Sequence, residues 1–158
     1  MNAVLRRFAT GLAGLAAVAA LALAIAGPAN AATSTVKIRN PASGTRLMTK
    51  EASGLVSMKP AGTANQAWVK TNTSAGYAIY RIGTGCLTGR GLQGFPLATV
   101  EACVPGSLKQ QWRRNVSGDF QLRLNGLVAE VNTASASFGV RMAFFLAKPN
   151  QKWTILPA

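Results

Sequence analysis

The chain has 158 residues, with 17 Lys or Arg against four Asp or Glu, and no His. A formal charge of +13 points to anionic partners, and the missing imidazole excludes Ser-His-Asp and Cys-His nucleophile machinery. Two Cys without His exclude the usual zinc sets, and a single Asp, Asp119, cannot supply a calcium loop.

Residues 1–31 read as a secretory signal peptide. Arg6 and Arg7 precede an apolar, Ala- and Leu-rich run from Phe8 to Ala26, and Pro28 and Ala29-Asn30-Ala31 follow as a small-x-small cleavage site. A retained anchor is the rival reading, because the run is long enough to span a bilayer. Its weak Ala-rich hydropathy and its cleavage site favour removal. The remaining residues, 32–158, are then one secreted domain, large enough for a normal core and without another spanning segment. That domain keeps 15 cations and four acids. Its expected partners are acidic glycans, phospholipid headgroups or other anionic polymers, with nucleic acid the less natural partner for an exported chain.

The domain shows short alternating runs separated by Gly, Asn, Ser and Pro rather than a helical period. Val36 and Ile38 alternate with Lys37 and Arg39. Ala78, Tyr80 and Ile82 alternate with Ile79 and Arg81, and Phe120, Leu122 and Leu124 with Gln121 and Arg123. Period-2 runs of this kind predict strands with one face on a core, and many of them in a small domain predict an all-β barrel or sandwich. Cys86 and Cys103 both lie in the exported part, so they are expected to pair. The closed loop is worth about 3 kcal/mol in the chain-entropy account.

Each of the three Trp has a Gln two residues before it: Gln66 and Trp68, Gln110 and Trp112, Gln151 and Trp153. The Trp lie 44 and 41 residues apart, a period that signals internal repetition. An offset of 42 lays Ala78, Tyr80 and Ile82 on Phe120, Leu122 and Leu124, Cys86 on Val128, and Thr88 on Glu130. In the looser first unit the same alignment places Arg46 at the Cys86 position. Three units follow, near 32–71, 72–115 and 116–158. The Gln side chains are expected to satisfy backbone groups, and the Trp rings to fill the space between units.

Three Q-x-W motifs closing repeats of about 40 residues resemble the ricin B-chain-type β-trefoil family. The middle unit is the most similar, with Cys86-Leu87-Thr88, Ala102-Cys103 and Gln110-Gln111-Trp112. The resemblance covers nearly all of residues 32–158. It implies a β-trefoil, a Cys86–Cys103 pair within one repeat, and a sugar-binding role. In that family each sugar site uses an Asp soon after the first Cys, an aromatic ring, and an Asn or Gln near the Q-x-W.

Carried onto this chain, the Asp position falls on Met48, Thr88 and Glu130, so only Glu130 is a carboxylate. The Asn before the closing motif is Asn65 in the first unit and Asn150 in the third, but Lys109 in the second. Phe144 or Phe145 could supply a ring. The expected sugar site is therefore the third unit, with Glu130, Asn150, Phe144 and Arg141. The alternative is that the sugar pockets have eroded and the trefoil is a scaffold. It would then bind an anionic surface through Arg113, Arg114 and Lys152, or serve as an accessory subunit of a toxin-like complex.

Catalysis is poorly supplied. Glycoside hydrolysis needs two carboxylates across one bond, and Glu51, Glu101, Asp119 and Glu130 are not paired by spacing. No phosphate-binding Gly-rich motif occurs. The expectation is a binding protein rather than an enzyme, with no cofactor and no metal.

Overall fold

A computed structural model describes residues 31–158 apart from 74, 92, 94–96 and 136. The predicted leader lies outside the described residues, except for Ala31. No helix among the described residues is long and apolar enough to cross a membrane.

Among the described residues twelve strands form, four to a unit. The first unit holds β1 (Thr33–Arg39), β2 (Leu47–Lys50), β3 (Val56–Lys59) and β4 (Trp68–Asn72). The second holds β5 (Ala78–Ile82), β6 (Gly85–Thr88), β7 (Thr99–Ala102) and β8 (Trp112–Arg114). The third holds β9 (Phe120–Leu122), β10 (Val128–Val131), β11 (Val140–Ala143) and β12 (Thr154–Pro157). The expected all-β architecture is what the chain adopts.

The first and last strands of each unit make a six-stranded barrel. β1 pairs with β4, β4 with β5, β5 with β8, and β8 with β9, all antiparallel. β12 returns to β1 with Val36 opposite Pro157, while a bridge between Asp119 and Lys152 ties the start of the third unit to its end. The ring thus closes through five strand ladders and the Asp119–Lys152 bridge.

The inner strands form the hairpins β2–β3, β6–β7 and β10–β11. These hairpins touch one another pairwise, at Leu55 and Thr99, Leu97 and Arg141, and Ser57 and Gly139. Val56 N–H donates to Ala98 O, and Ala98 N–H donates to Val140 O. These three residues are spaced by 42, the offset read from the sequence. A six-stranded barrel capped by three hairpins is a β-trefoil.

The alternation explains the core. Val36 and Ile38 of β1, Ala78, Tyr80 and Ile82 of β5, and Phe120 and Leu122 of β9 point inward and are buried. Phe120 sits at the centre. Its ring stacks on Trp112 at 5.0 Å, meets Tyr80 edge-on at 5.1 Å and lies 6.3 Å from Trp153. All three Trp are buried, each worth roughly 2–3 kcal/mol in transfer terms. Burial pushes the Tyr80 hydroxyl pKa up to about 12, with the nearby Arg114 pulling against it. Leu124 does not belong to the inward set: β9 ends at Leu122, and the chain turns through Gly126, whose φ is +74°.

The Cys86–Cys103 disulfide is present, joining β6 to the loop after β7 across 17 residues. Gly89 follows β6 in the core. A Cβ there would lie 2.8 Å from Leu122, 2.9 Å from Trp112 and 3.0 Å from Met142, so the packing of three large side chains requires a glycine.

Candidate functional site

The three Q-x-W motifs do the same mechanical work. Each Trp indole N–H donates to a backbone carbonyl: Trp68 to Met48, Trp112 to Leu87, and Trp153 to Ala129, at 2.9–3.1 Å. Each Gln clamps a loop from both sides. Gln66 accepts from Gly62 N–H and donates to Pro60 O. Gln110 accepts from Val104 N–H and donates to Ala102 O. Gln151 accepts from Leu146 N–H and donates to Phe144 O. Buried amides with this many partners are satisfied, and they fix the loop entering each last strand.

A further amide bond of each Gln ties the closing motif to the second strand of its own unit, and so shows which residues correspond from unit to unit. Gln66 Nε2 donates to Thr49 Oγ1 and Gln110 Nε2 to Thr88 Oγ1, both at 3.1 Å, and Gln151 Nε2 donates to Glu130 Oε2 at 2.8 Å. Thr49, Thr88 and Glu130 are thus equivalent. The sequence alignment places Met48 there and Arg46 opposite Cys86. The structure shifts both by one, to Thr49 and Leu47. Leu47, Met48 and Thr49 are all buried, so β2 carries no inward–outward alternation from which its register could be read.

In the third unit the Gln partner is a carboxylate, and a larger polar cluster grows around it. Glu130 is 2% exposed. Its Oε1 accepts from Arg141 Nε at 2.9 Å and Nη2 at 2.5 Å, across the β10–β11 pair that sets the two residues opposite each other. Its Oε2 is held by Gln151. Both oxygens are therefore engaged within the protein. The Arg141 side chain remains one-third exposed. Asn150 Nδ2 donates to Val131 O at 2.9 Å. Its Oδ1 accepts no bond among the described residues.

The structure thus joins Glu130, Arg141, Asn150 and the Phe144 backbone through Gln151 and β10. Phe144 itself is 64% exposed. Asn65 Nδ2 reaches Lys50 O at 3.5 Å, the counterpart of the Asn150 bond. In the second unit the Lys109 carbonyl accepts from Gly89 N–H, as the Asn65 carbonyl accepts from Lys50 N–H, but Lys109 has no amide to repeat the side-chain donation.

The other acids are also committed. Ser57 Oγ and Lys59 Nζ bind Glu51, and these contacts hold its carboxyl below the usual range. Burial pushes the Glu101 carboxyl up, but bonds from Arg90 and Thr99 outweigh it and leave the pKa lowered. Asp119 is buried and accepts from Asn115 Nδ2 and Ser117 Oγ.

Among the described residues, salt bridges engage Lys59, Arg90 and Arg141. Among the described residues, Arg113, Arg114 and Lys152 form no salt bridge. Arg113 and Arg114 stand between two clefts. One, of about 540 Å³, is also lined by Lys70, Asn72, Tyr77 and Tyr80. The other, of about 530 Å³, is also lined by Val116, Gln121 and Phe145. The Arg113 and Arg123 guanidinium groups lie 4.9 and 5.3 Å from the centre of the Tyr77 ring. Sequence reading misses Lys70 and Tyr77 as neighbours of Arg113, because β4 and β8 are joined only through β5.

No protein-family model matches the chain, and no curated protein matches it. Solved structures do match. A mosquitocidal holotoxin aligns with a TM-score of 0.71 and 15% identity, over 83% of this chain and 17% of its own. The designed threefold-symmetric protein ThreeFoil aligns with a TM-score of 0.65 and 22% identity, over 78% and 99%. An agglutinin from Abrus precatorius aligns with a TM-score of 0.62 and 14% identity, over 80% and 47%. The chain spans less than a fifth of the holotoxin chain and about half of the agglutinin chain. These likenesses are of fold: the chain is a β-trefoil and shares that fold with lectin and toxin proteins.

Proposed function

We propose that this protein is a secreted, non-catalytic, lectin-like β-trefoil that binds a glycan through its third unit. One observation carries the reading. Among the described residues, only this unit sets a carboxylate-anchored guanidinium, Arg141, in the same network as an amide whose oxygen accepts no bond, that of the half-buried Asn150. In this reading Glu130 is a positioning residue, since its oxygens are spent on Arg141 and Gln151. Arg141 donates to ligand oxygens, Asn150 Oδ1 accepts from a hydroxyl, and Phe144 offers an apolar face to a sugar ring. An acidic or heavily hydroxylated sugar suits a site headed by a guanidinium.

A glycan array probed with the wild type, Arg141→Gln and Glu130→Gln tests this. The expected result is loss of binding in both variants, with the Glu130→Gln protein still folded. Unchanged binding by Arg141→Gln removes the site from consideration.

A second reading is favoured by Arg113, Arg114 and Lys152, which form no salt bridge among the described residues: docking to an anionic surface, with the trefoil as scaffold or as accessory subunit of a toxin-like complex. The array repeated at low and moderate salt separates the two. Screening weakens binding by exposed charges, whereas competition by a neutral sugar belongs to a lectin pocket.

A further inference from the structure

The internal symmetry of the clamp loops isolates one feature that the fold does not require. The segments gripped by Gln66, Gln110 and Gln151 are equivalent: Pro60-Ala61-Gly62, Ala102-Cys103-Val104 and Phe144-Phe145-Leu146. The backbone role is the same in all three, and small residues or a disulfide fulfil it in the first two. The third places two aromatic rings and a leucine outward, with Phe144 64%, Phe145 44% and Leu146 61% exposed. The clamp bonds at Phe144 O and Leu146 N–H keep this apolar tip from folding back onto the barrel.

Its surroundings are cationic. Lys152 Nζ lies 5.0 Å from the centre of the Phe145 ring and donates to Ser117 O. Phe145 lines the same cleft as Arg113, Arg114 and Val116, and Val116 is fully exposed. Lys148 follows two residues after Leu146 and is exposed. Asp119, the acid lining this cleft, is buried and bonded to Asn115 and Ser117.

We infer that this face docks on an anionic lipid bilayer. Phe144, Phe145 and Leu146 enter the boundary between headgroups and acyl chains, and Arg113, Arg114, Lys148 and Lys152 meet lipid phosphates. Three features favour a bilayer over a protein partner. The apolar part is a single projecting tip, too small for the core of a standard protein interface. Long cations around an aromatic tip match the layered polarity of a membrane surface. The exposed charges named on this face, Arg113, Arg114 and Lys148, are cationic, and the acid of the cleft, Asp119, is buried, as attraction to an anionic leaflet requires. The inference shares its cations with the anionic-surface reading and adds the lipid and the inserted loop. It shares Phe144 with the glycan site but does not depend on sugar binding.

The test is flotation of the purified protein with vesicles of phosphatidylcholine alone and of phosphatidylcholine mixed with phosphatidylglycerol. Binding to the mixed vesicles only is expected. The double substitution Phe144→Ser and Phe145→Ser should weaken it by about tenfold or more. Leu108→Ser, which alters an exposed leucine in the second unit, should leave it within about twofold. Leu146→Trp provides a separate readout. The native Trp are buried, so fluorescence quenched by lipids brominated in the acyl chain reports entry of residue 146.

Mixed-vesicle binding that survives the double substitution, or an unquenched Trp at residue 146, overturns insertion while leaving charge-driven adsorption standing. Absence of binding to mixed vesicles overturns the inference outright. A blank glycan array alongside phenylalanine-dependent flotation would remove the glycan reading and leave this one intact.

Discussion

Gln151→Ala is expected to be the most damaging of the three clamp substitutions. The side chain is fully buried and makes three bonds, to Phe144 O at 2.7 Å, Leu146 N–H at 2.8 Å and Glu130 Oε2 at 2.8 Å. Ordinary net worth is about 1 kcal/mol for each bond to the backbone and about 1.5–3 kcal/mol for one to a charged group. The sum is about 4 kcal/mol, a large share of the 5–15 kcal/mol typical of a whole domain. Gln66→Ala loses similar backbone bonds and a longer one to Lys59 O at 3.4 Å, but its side-chain partner is the neutral Thr49 hydroxyl, so its cost should be smaller by about 1 kcal/mol.

Equilibrium urea unfolding followed by Trp fluorescence measures both, with the slope checked for constancy. Adding Glu130→Thr to Gln151→Ala should cost less than the two single losses added together, because the stranded carboxylate oxygen is gone. Equal losses at residues 66 and 151, or strict additivity in the double variant, would refute the assignment of extra cost to the carboxylate.

Four further outcomes follow from the same structure. Cys86→Ser with Cys103→Ser should lower stability by about 3 kcal/mol, seen as a drop in Tm by calorimetry. Gly89→Ala should cost about 1–3 kcal/mol through crowding against Leu122, Trp112 and Met142, with little change in the folded spectrum. Ala147 holds a left-handed φ of 56°, so Ala147→Gly should raise stability, by roughly 0.5–1 kcal/mol in urea titration. The folded pKa values of Glu51 and Glu101 lie below the ordinary 4.5, so their stabilisation is complete above that pH and is lost as pH falls through the lowered values. Melting temperatures below pH 4.5 should therefore decline less steeply in Glu101→Gln than in the wild type.

Much of the barrel was legible because repetition and burial act together. The Q-x-W spacing marks the closing strand of each unit. The alternating runs at Val36, Ala78 and Phe120 mark the opening strand. The offset of 42 between the second and third units agrees with the matched bonds at Thr88 and Glu130. Reading stopped where a strand is covered on both faces. Leu47, Met48 and Thr49 are uniformly buried, so a one-residue slip in the first unit leaves no trace in the polarity pattern. Leu124 shows the opposite error, an alternation that continues one step past the point where the chain turns.

The site was less legible than the fold. A carboxylate at residue 130 is visible in the sequence, but its engagement by Arg141 depends on cross-strand register, and its bond to Gln151 on a contact 21 residues away. The facing of Phe144 and Phe145 was unreadable for another reason. They lie beyond the end of β11, where the alternation of a strand no longer fixes direction, and it is their exposure in the folded chain that shows them outward.

The closure of the ring by β12 against β1 also bears on connectivity. Ala158 N–H donates to Thr35 O at 3.2 Å, beyond the Val36–Pro157 pair, so residues 33–35 and 158 are spatial neighbours. A short linker between them, with new ends opened in the turn between β4 and β5, would keep every strand pairing while renumbering the units. In a barrel of three like units joined head to tail, which unit leads the chain is a free choice of topology. A permutant led by the second unit would show whether the loop at Phe144–Leu146 keeps its outward pose when its neighbours are reached in a different order of synthesis.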